Sequence, residues 1–244
     1  MKTQLPALAV TTFALLGAPL ALAGDELPTQ SASADLNGDG KPEAIAVKWK
    51  DGDAQFVLTA GPATLRGKTD SEVHGLSIID IDSADQRKEV AVHMGMTDSD
   101  RLTLVYAFDG KSLKELGRVH ALTEVKGNGI ILSDTWETFW NRRDKFALDA
   151  KAGKLGPVPQ ELFYVGQEAT VRESFPITHS RTDKKPVATL AAASKILVLA
   201  AAPVPVQGGR FTSYVYLVKS STGLLGWVSQ DTLLAKTEGL TVAG

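Results

Sequence analysis

Residues 34–49, ADLNGDGKPEAIAVKW, and residues 78–94, IIDIDSADQRKEVAVHM, decide how this chain folds. Each begins with acidic, turn-forming residues and runs straight into an alternating stretch. In the first, Ile45, Val47 and Trp49 share a face; in the second, Val90, Val92 and Met94 do. Alternation with a period of two is the mark of a half-buried β-strand. The opening aspartates, Asp35 and Asp80, are 45 residues apart, which makes the two stretches copies of one repeating unit.

Each strand leads on through a turn-rich joint. Asp51-Gly52-Asp53 precedes AQFVLTA, Thr97-Asp98-Ser99-Asp100 precedes RLTLVYAF, and Asp109-Gly110 turns YAF back into LKELGRV as a hairpin. A third unit begins near Gly127-Asn128-Gly129, without the acidic loop but with a closing hairpin where KFALD turns through AKAGK. Repeats of about 40–50 residues made of short strands suggest propeller-like blades. Closed propellers use about 4–8 blades, so three partial blades must have their edges covered by another domain, another subunit or a partner.

Composition shifts at Gly156-Pro157-Val158-Pro159, and a boundary is expected near residue 160. Residues 161–240 are again strand-like, cut by SFPITHSRTDKKP, PVPVQGGR and SSTG. The Ala-rich run Val187 to Val206 is interrupted by Lys195 and two prolines. It reads as two short strands around Ser194-Lys195 rather than a membrane span, which needs about 20 nearly continuous apolar residues. No long capped helical pattern follows the N-terminal segment. The class is all-β: blade-like antiparallel repeats over 34–160, then a small barrel over 161–240.

The N-terminus, MKTQLPALAVTTFALLGAPLALA, has the parts of a secretory signal: Lys2, an apolar run, and Ala21-Leu22-Ala23 at a cleavage site. Residues 1–23 are expected to be removed, and 24–33, GDELPTQSAS, to form a flexible leader. Residues 1–23 hold one lysine and no acid, so their loss takes the net charge from −2 to −3. A mildly acidic chain lacks the basic patch nucleic acid demands. With no cysteine, disulfides, zinc–thiolate sites and thiol nucleophiles are excluded. The localisation expected is export, to the periplasm or outside the cell, with no integral membrane anchor.

Chemistry concentrates in Asp35-Leu36-Asn37-Gly38-Asp39-Gly40-Lys41-Pro42-Glu43. Side-chain oxygens fall at the first, third, fifth and ninth places, and two glycines allow a tight turn. Calcium is a hard cation that takes about six to eight oxygens at about 2.3–2.6 Å. Asp35, Asn37 and Asp39 would offer side-chain oxygens, Lys41 its carbonyl, and Glu43 would close the shell. The alternative is a plain Asn-Gly/Asp-Gly turn, which needs fewer oxygen side chains in register. An EF-hand is ruled out, since its twelfth position would be Ala46, inside a strand.

DLNGDGKPEAIAV resembles the calcium loop of FG-GAP (integrin α-chain-like) repeats, over residues 33–120. The resemblance implies that Asp35, Asn37, Asp39 and Glu43 bind calcium. The second unit keeps Asp80, Asp82 and Asp85 but lacks the glycines, and Glu89 falls one place late; a metal-free loop is expected there. YVYLVKSSTGLLGWVSQDTLL resembles the last strands of bacterial Src-homology-3-like (SH3-like) domains, with Val171, Arg172, Gly226, Trp227 and Val228 matching. Glu173-Ser174-Phe175-Pro176 and Ala193-Ser194 depart from that family's pattern, in a loop that shapes its ligand groove. The resemblance implies a non-catalytic module for wall peptides or proteins, and Trp227, Tyr214 and Tyr216 are the candidate ligand residues.

Trp136, Phe139 and Trp140, followed by Arg142 and Arg143, read as the core of the third blade or as a stacking surface. The histidines at 74, 93, 120 and 179 have no zinc spacing, and His93 is expected to be a half-buried cross-strand partner. No nucleophile elbow, P-loop or dinucleotide fingerprint appears. The function expected is an exported, non-enzymatic binding protein with one calcium loop and a cell-wall, peptide or protein ligand. The alternatives are an assembly subunit that uses its blade edges, as in a homo-oligomer, and an accessory cell-wall hydrolase.

Overall fold

The computed structural model describes residues 29–50, 55–205 and 213–241. The signal segment 1–23, the first half of the leader (24–28) and the Asp51-Gly52-Asp53 joint lie outside the described residues.

Alternation produces the strands where it was expected. In β2 (Glu43–Trp49), Ile45 and Val47 are buried while Ala44 and Lys48 are exposed. It pairs with β1 (Ser31–Ala34) on one side and β3 (Gln55–Ala60) on the other, and β4 (Ala63–Lys68) completes a four-stranded antiparallel sheet. Residues 31–33, expected as flexible leader, are therefore part of the first strand. Their small side chains alternate too, with Ala32 and Ala34 packed against the core, and pairing with β2 offsets the cost of ordering them.

The second sheet runs β5 (Val73–Ile79), β6 (Glu89–Met94), β7 (Leu102–Phe108) and β8 (Leu113–Val119); the third runs β9 (Ala121–Val125), β10 (Ile130–Glu137), β11 (Trp140–Asp149) and β12 (Lys154–Pro157). Each is an antiparallel meander, the blade-like unit repeated three times. The sheets stack. Ile45, Val47 and Leu58 of the first meet Val90, Val92, Met94 and Tyr106 of the second. On the second sheet's other face, Ala91, Val105 and Leu116 meet Ile131, Phe146 and Leu148 of the third. Covered on both faces, β6 and β7 lose simple alternation and are buried along most of their length.

The C-terminal residues form one seven-stranded sheet in the order β15 (Pro186–Leu190), β14 (Phe175–Thr178), β18 (Leu225–Ser229), β17 (Ser213–Ser220), β16 (Lys195–Val204), β13 (Phe163–Val171), β19 (Thr237–Glu238). Register shifts at Tyr164/Gln167 and Val198/Ala200 bend the long strands. The sheet curls around Val171, Phe175, Ile177, Val198, Val218 and Val228. The Leu233-Leu234 end of the stretch that resembles the last strands of SH3-like domains is helical: both residues lie in α1 (Gln230–Lys236). Ser229 caps it, its hydroxyl accepting from Thr232 N, and Leu233 is buried. Seven residues are too few for a periodic pattern to declare itself.

Phe139 and Trp140 are also corrected. They sit at the β10–β11 turn, but they belong to the core of the seven-stranded sheet, not to that of the third blade. Trp140 Nε1 donates to Tyr216 Oη at 3.2 Å, and its ring meets Tyr214 edge-on at 5.5 Å. The expected boundary near 160 is thus crossed by a shared aromatic core.

Candidate functional site

The Asp35–Glu43 loop is wound on its own oxygens. Asp35 Oδ1 accepts from Gly38 N at 2.8 Å and Asp39 N at 3.2 Å, and its Oδ2 accepts from Gly40 N at 2.7 Å. Asn37 Oδ1 accepts from Asp39 N at 2.9 Å, and Asp39 Oδ1 from Lys41 N at 2.8 Å. At the base, Glu43 Oε2 accepts from Leu36 N at 2.9 Å, and Leu36 itself is fully buried. A carboxylate offers about four lone-pair sites, so these amides do not exhaust the loop's acceptors. The donors are hard oxygens, which suits calcium. No group of three or more His, Asp or Glu converges as a metal cage among the described residues. An ion here would take the rest of its shell from Asn37 and main-chain carbonyls such as that of Lys41.

The second loop repeats this skeleton. Glu89 Oε2 accepts from Ile81 N at 3.1 Å, and Ile81, like Leu36, is fully buried. Asp82 Oδ1 accepts from Ala84 N at 3.2 Å, as Asn37 does from Asp39; Asp85 Oδ1 accepts from Arg87 N at 2.9 Å, as Asp39 does from Lys41. One residue is inserted between Asp82 and Asp85. Gln86 occupies the left-handed position, φ 61°, that Gly40 holds in the first loop at φ 82°. Burial raises the Glu89 carboxyl to about 7; Asp85, Asp80 and Asp82 add to this and the Ile81 amide opposes it. Burial also raises Asp80, whose Oδ1 is enclosed without a hydrogen-bond partner among the described residues.

The loops join in a row. Lys88 N donates to Leu36 O at 3.2 Å, and one repeat later Gly129 N donates to Ile81 O at 2.7 Å. Those two bonds place Ile130 where Glu43 and Glu89 stand, so the third repeat has lost its brace as well as its acids.

Trp227, Tyr214 and Tyr216 do not form one ligand surface. Tyr214 and Tyr216 are 2 % and 0 % exposed, because strand alternation turns them inward, and they offer nothing to a ligand. Tyr214 Oη donates to Glu137 and accepts from Arg142 at 2.9 Å, and Arg142 also pairs with Asp144. Burial pushes the Tyr214 phenol up to about 12. Trp227 is half-buried and turned away from that core, with its cross-strand partner Leu217 beside it. Leu225 is 49 % exposed two residues along the strand, and the Arg181 guanidinium lies 5.8 Å from the Trp227 ring centroid. Tyr164, at 78 %, is the most exposed large apolar side chain among the described residues.

No family model matches the chain. No curated protein matches it, and no solved structure does. The site must be read from its own geometry.

His93 is the cross-strand partner of Thr103 and lies between two hydroxyls, with Nε2 2.8 Å from Ser77 Oγ and Nδ1 3.2 Å from Thr103 Oγ1. Burial lowers its pKa to about 4, His74 contributing. A neutral imidazole between hydroxyls is packed as a polar core group. Among the described residues no helix is long and apolar enough to cross a membrane.

Proposed function

We propose that the chain is an exported, non-catalytic binding protein. Its SH3-like C-terminal unit engages a cell-wall component or peptide, and its FG-GAP-like repeats are stabilised by calcium at Asp35, Asn37, Asp39, the Lys41 carbonyl and Glu43. The observation that carries the ligand reading is the Trp227 face. An aromatic ring, flanked by Leu217 and Leu225 and overlaid by Arg181, offers a flat apolar contact with a cation beside it, which suits a peptide or an amide-bearing sugar. The return of β19 to pair with β13 supports the barrel reading, since a small barrel closes by bringing its last strand to its first. Binding uses surface side chains and involves no covalent step.

Retention of the purified chain on peptidoglycan, compared with Trp227→Ala, tests this reading. The expected result is retention that falls at least about tenfold in the variant, as loss of a central aromatic contact predicts. No retention of the unaltered chain would sink the wall reading.

An assembly role is the second reading. The outer face of the first sheet has no covering layer among the described residues, and Ala44, Lys48, Thr64 and Arg66 on it are exposed. Sedimentation at rising concentration tests it, and a strictly monomeric species would count against it.

A further inference from the structure

The β17–β18 hairpin holds two leucines out at its tip. Ser220 N donates to Leu224 O at 2.9 Å, and Ser220 Oγ accepts from Leu224 N at 3.0 Å, so the turn is pinned at its base. Gly223, at φ 87°, supplies the left-handed step that reverses the chain. Residues 221–225 are all exposed, Leu224 at 47 % and Leu225 at 49 %. Alternation accounts for Leu225, which opens a strand whose Gly226 and Val228 face the core. It does not account for Leu224, since turn residues are chosen for backbone geometry and local hydrogen bonding, which leucine does not serve. Single exposed leucines are ordinary, but this adjacent pair and Trp227, on the same strand face as Leu225, make a contiguous apolar patch.

Charge around the tip is predominantly positive. From Ser213 to Gln230 the chain has no acidic residue, and Lys219 is the cross-strand partner of Leu225. The loop between β14 and β15, residues 179–185, reaches the same strand, where Arg181 lies over the Trp227 ring. That loop sets Arg181, Lys184 and Lys185 against one carboxylate, Asp183. Asp183 is already engaged, by His179 Nδ1 at 3.4 Å and by Lys185 N at 2.9 Å. Glu168 shares a cross-strand row with Lys219 but stands two strands away, with Leu197 between them, a separation of about 10 Å. None of Arg181, Lys184, Lys185 and Lys219 is in an ion pair among the described residues.

We infer that this tip seats in the headgroup layer of an anionic lipid bilayer. Leu224 and Leu225 enter the apolar boundary, while Lys219 and the cations of the 179–185 loop meet lipid phosphates. Apolar burial and attraction to anionic headgroups are the two contributions to peripheral membrane binding, and a firm attachment combines them. Trp227 then lies at the lipid–water interface, where an indole is favoured. A protruding turn suits a fluid, planar surface, whereas a peptide ligand requires a groove or a sheet edge. The inference goes beyond the wall-ligand reading: that one turns on peptidoglycan and the Trp227 ring, this one on lipid and the two leucines.

The test is co-sedimentation of the purified chain at low salt with two kinds of vesicle, phosphatidylcholine alone and phosphatidylcholine mixed equally with phosphatidylglycerol. Leu224→Ser/Leu225→Ser removes the apolar tip and keeps every charge; Lys184→Gln/Lys185→Gln does the reverse. Lys151→Gln, on the β11–β12 turn, controls for net charge, and melting curves show that all variants fold. We expect binding to the anionic vesicles and little to phosphatidylcholine alone. The leucine pair should weaken that binding at least about tenfold, the lysine pair severalfold, and Lys151→Gln not at all. No binding to the anionic vesicles overturns the inference, whatever the chain does on peptidoglycan. So does undiminished binding by the leucine variant, which would mark adsorption through charge alone.

Discussion

The Glu89 carboxylate accepts the main-chain N–H of Ile81 at 3.1 Å, the same bond that Glu43 makes to Leu36 at 2.9 Å. In each of these two repeats it ties the first residue of the following strand back to the buried apolar residue after the opening aspartate. The bond survives although the second loop is one residue longer and has no glycine. Between these two repeats the brace is kept while the rim varies, so the rim is where the two loops diverge in chemistry.

Glu89 makes the second loop sensitive to pH. Its folded-state pKa of about 7 lies above the ordinary value of 4.5, so the folded chain holds this proton more tightly than the unfolded chain. Stability therefore falls as pH rises from about 4.5 to about 7, by roughly 3 kcal/mol from this group, and levels off above. Glu89→Gln keeps an oxygen for the Ile81 amide and loses the proton. Denaturant melts should show the variant gaining on the unaltered chain between pH 5 and pH 8; parallel pH profiles would refute the assignment.

Gln86 and Gly40 hold equivalent left-handed positions, and only glycine does so without a steric cost. Gln86→Gly is expected to stabilise the fold by about 0.5–1 kcal/mol, and Gly40→Ala to cost about 1–2 kcal/mol. A Cβ on Gly40 has nothing within 4 Å, so that cost is conformational rather than a clash. Urea titration of both variants checks the pair; a loss of stability in Gln86→Gly would mean its side chain contributes more than the backbone gains.

Calcium at the first loop predicts a ligand-dependent melting temperature. With an affinity of about 10⁻⁴–10⁻³ M, calcium at ten to a hundred times that concentration adds about 1.4–2.7 kcal/mol. Asp39→Ala should abolish this increment and leave the calcium-free melt little changed, since Asp39 Oδ1 holds one exposed amide, that of Lys41. An unaltered chain that melts at the same temperature in calcium and in chelator reduces the loop to a self-bonded turn.

The blades were legible because each repeat couples an acidic loop to an alternating strand, and both signals are local. Ile45 and Val47 face the core as their spacing requires. The middle sheet hides part of its pattern, since β6 and β7 are covered on both sides. Counting residues puts Glu89 one place late, and the extra residue lies between Asp82 and Asp85. What counting does not reveal is that the Ile81 hydrogen bond survives, because it depends only on where the chain returns. Trp140 and Tyr216 are 76 residues apart, and no local pattern reports a contact of that range.

Arg142 fastens the third blade to the curled sheet. Its side chain is 19 % exposed, and it pairs with Glu137 and Asp144 while donating to Tyr214 Oη. Removing it leaves two largely enclosed carboxylates without their cation, and Arg142→Ala should cost about 3 kcal/mol or more. Tyr214→Phe removes only the hydroxyl and should cost about 1 kcal/mol. Because that hydroxyl binds both Arg142 and Glu137, the two substitutions share an interaction, and the double variant should lose less than their sum by about 0.5–1 kcal/mol. A double-mutant cycle in denaturant measures this coupling directly. Strict additivity would mean that the ion pairs and the phenol act independently.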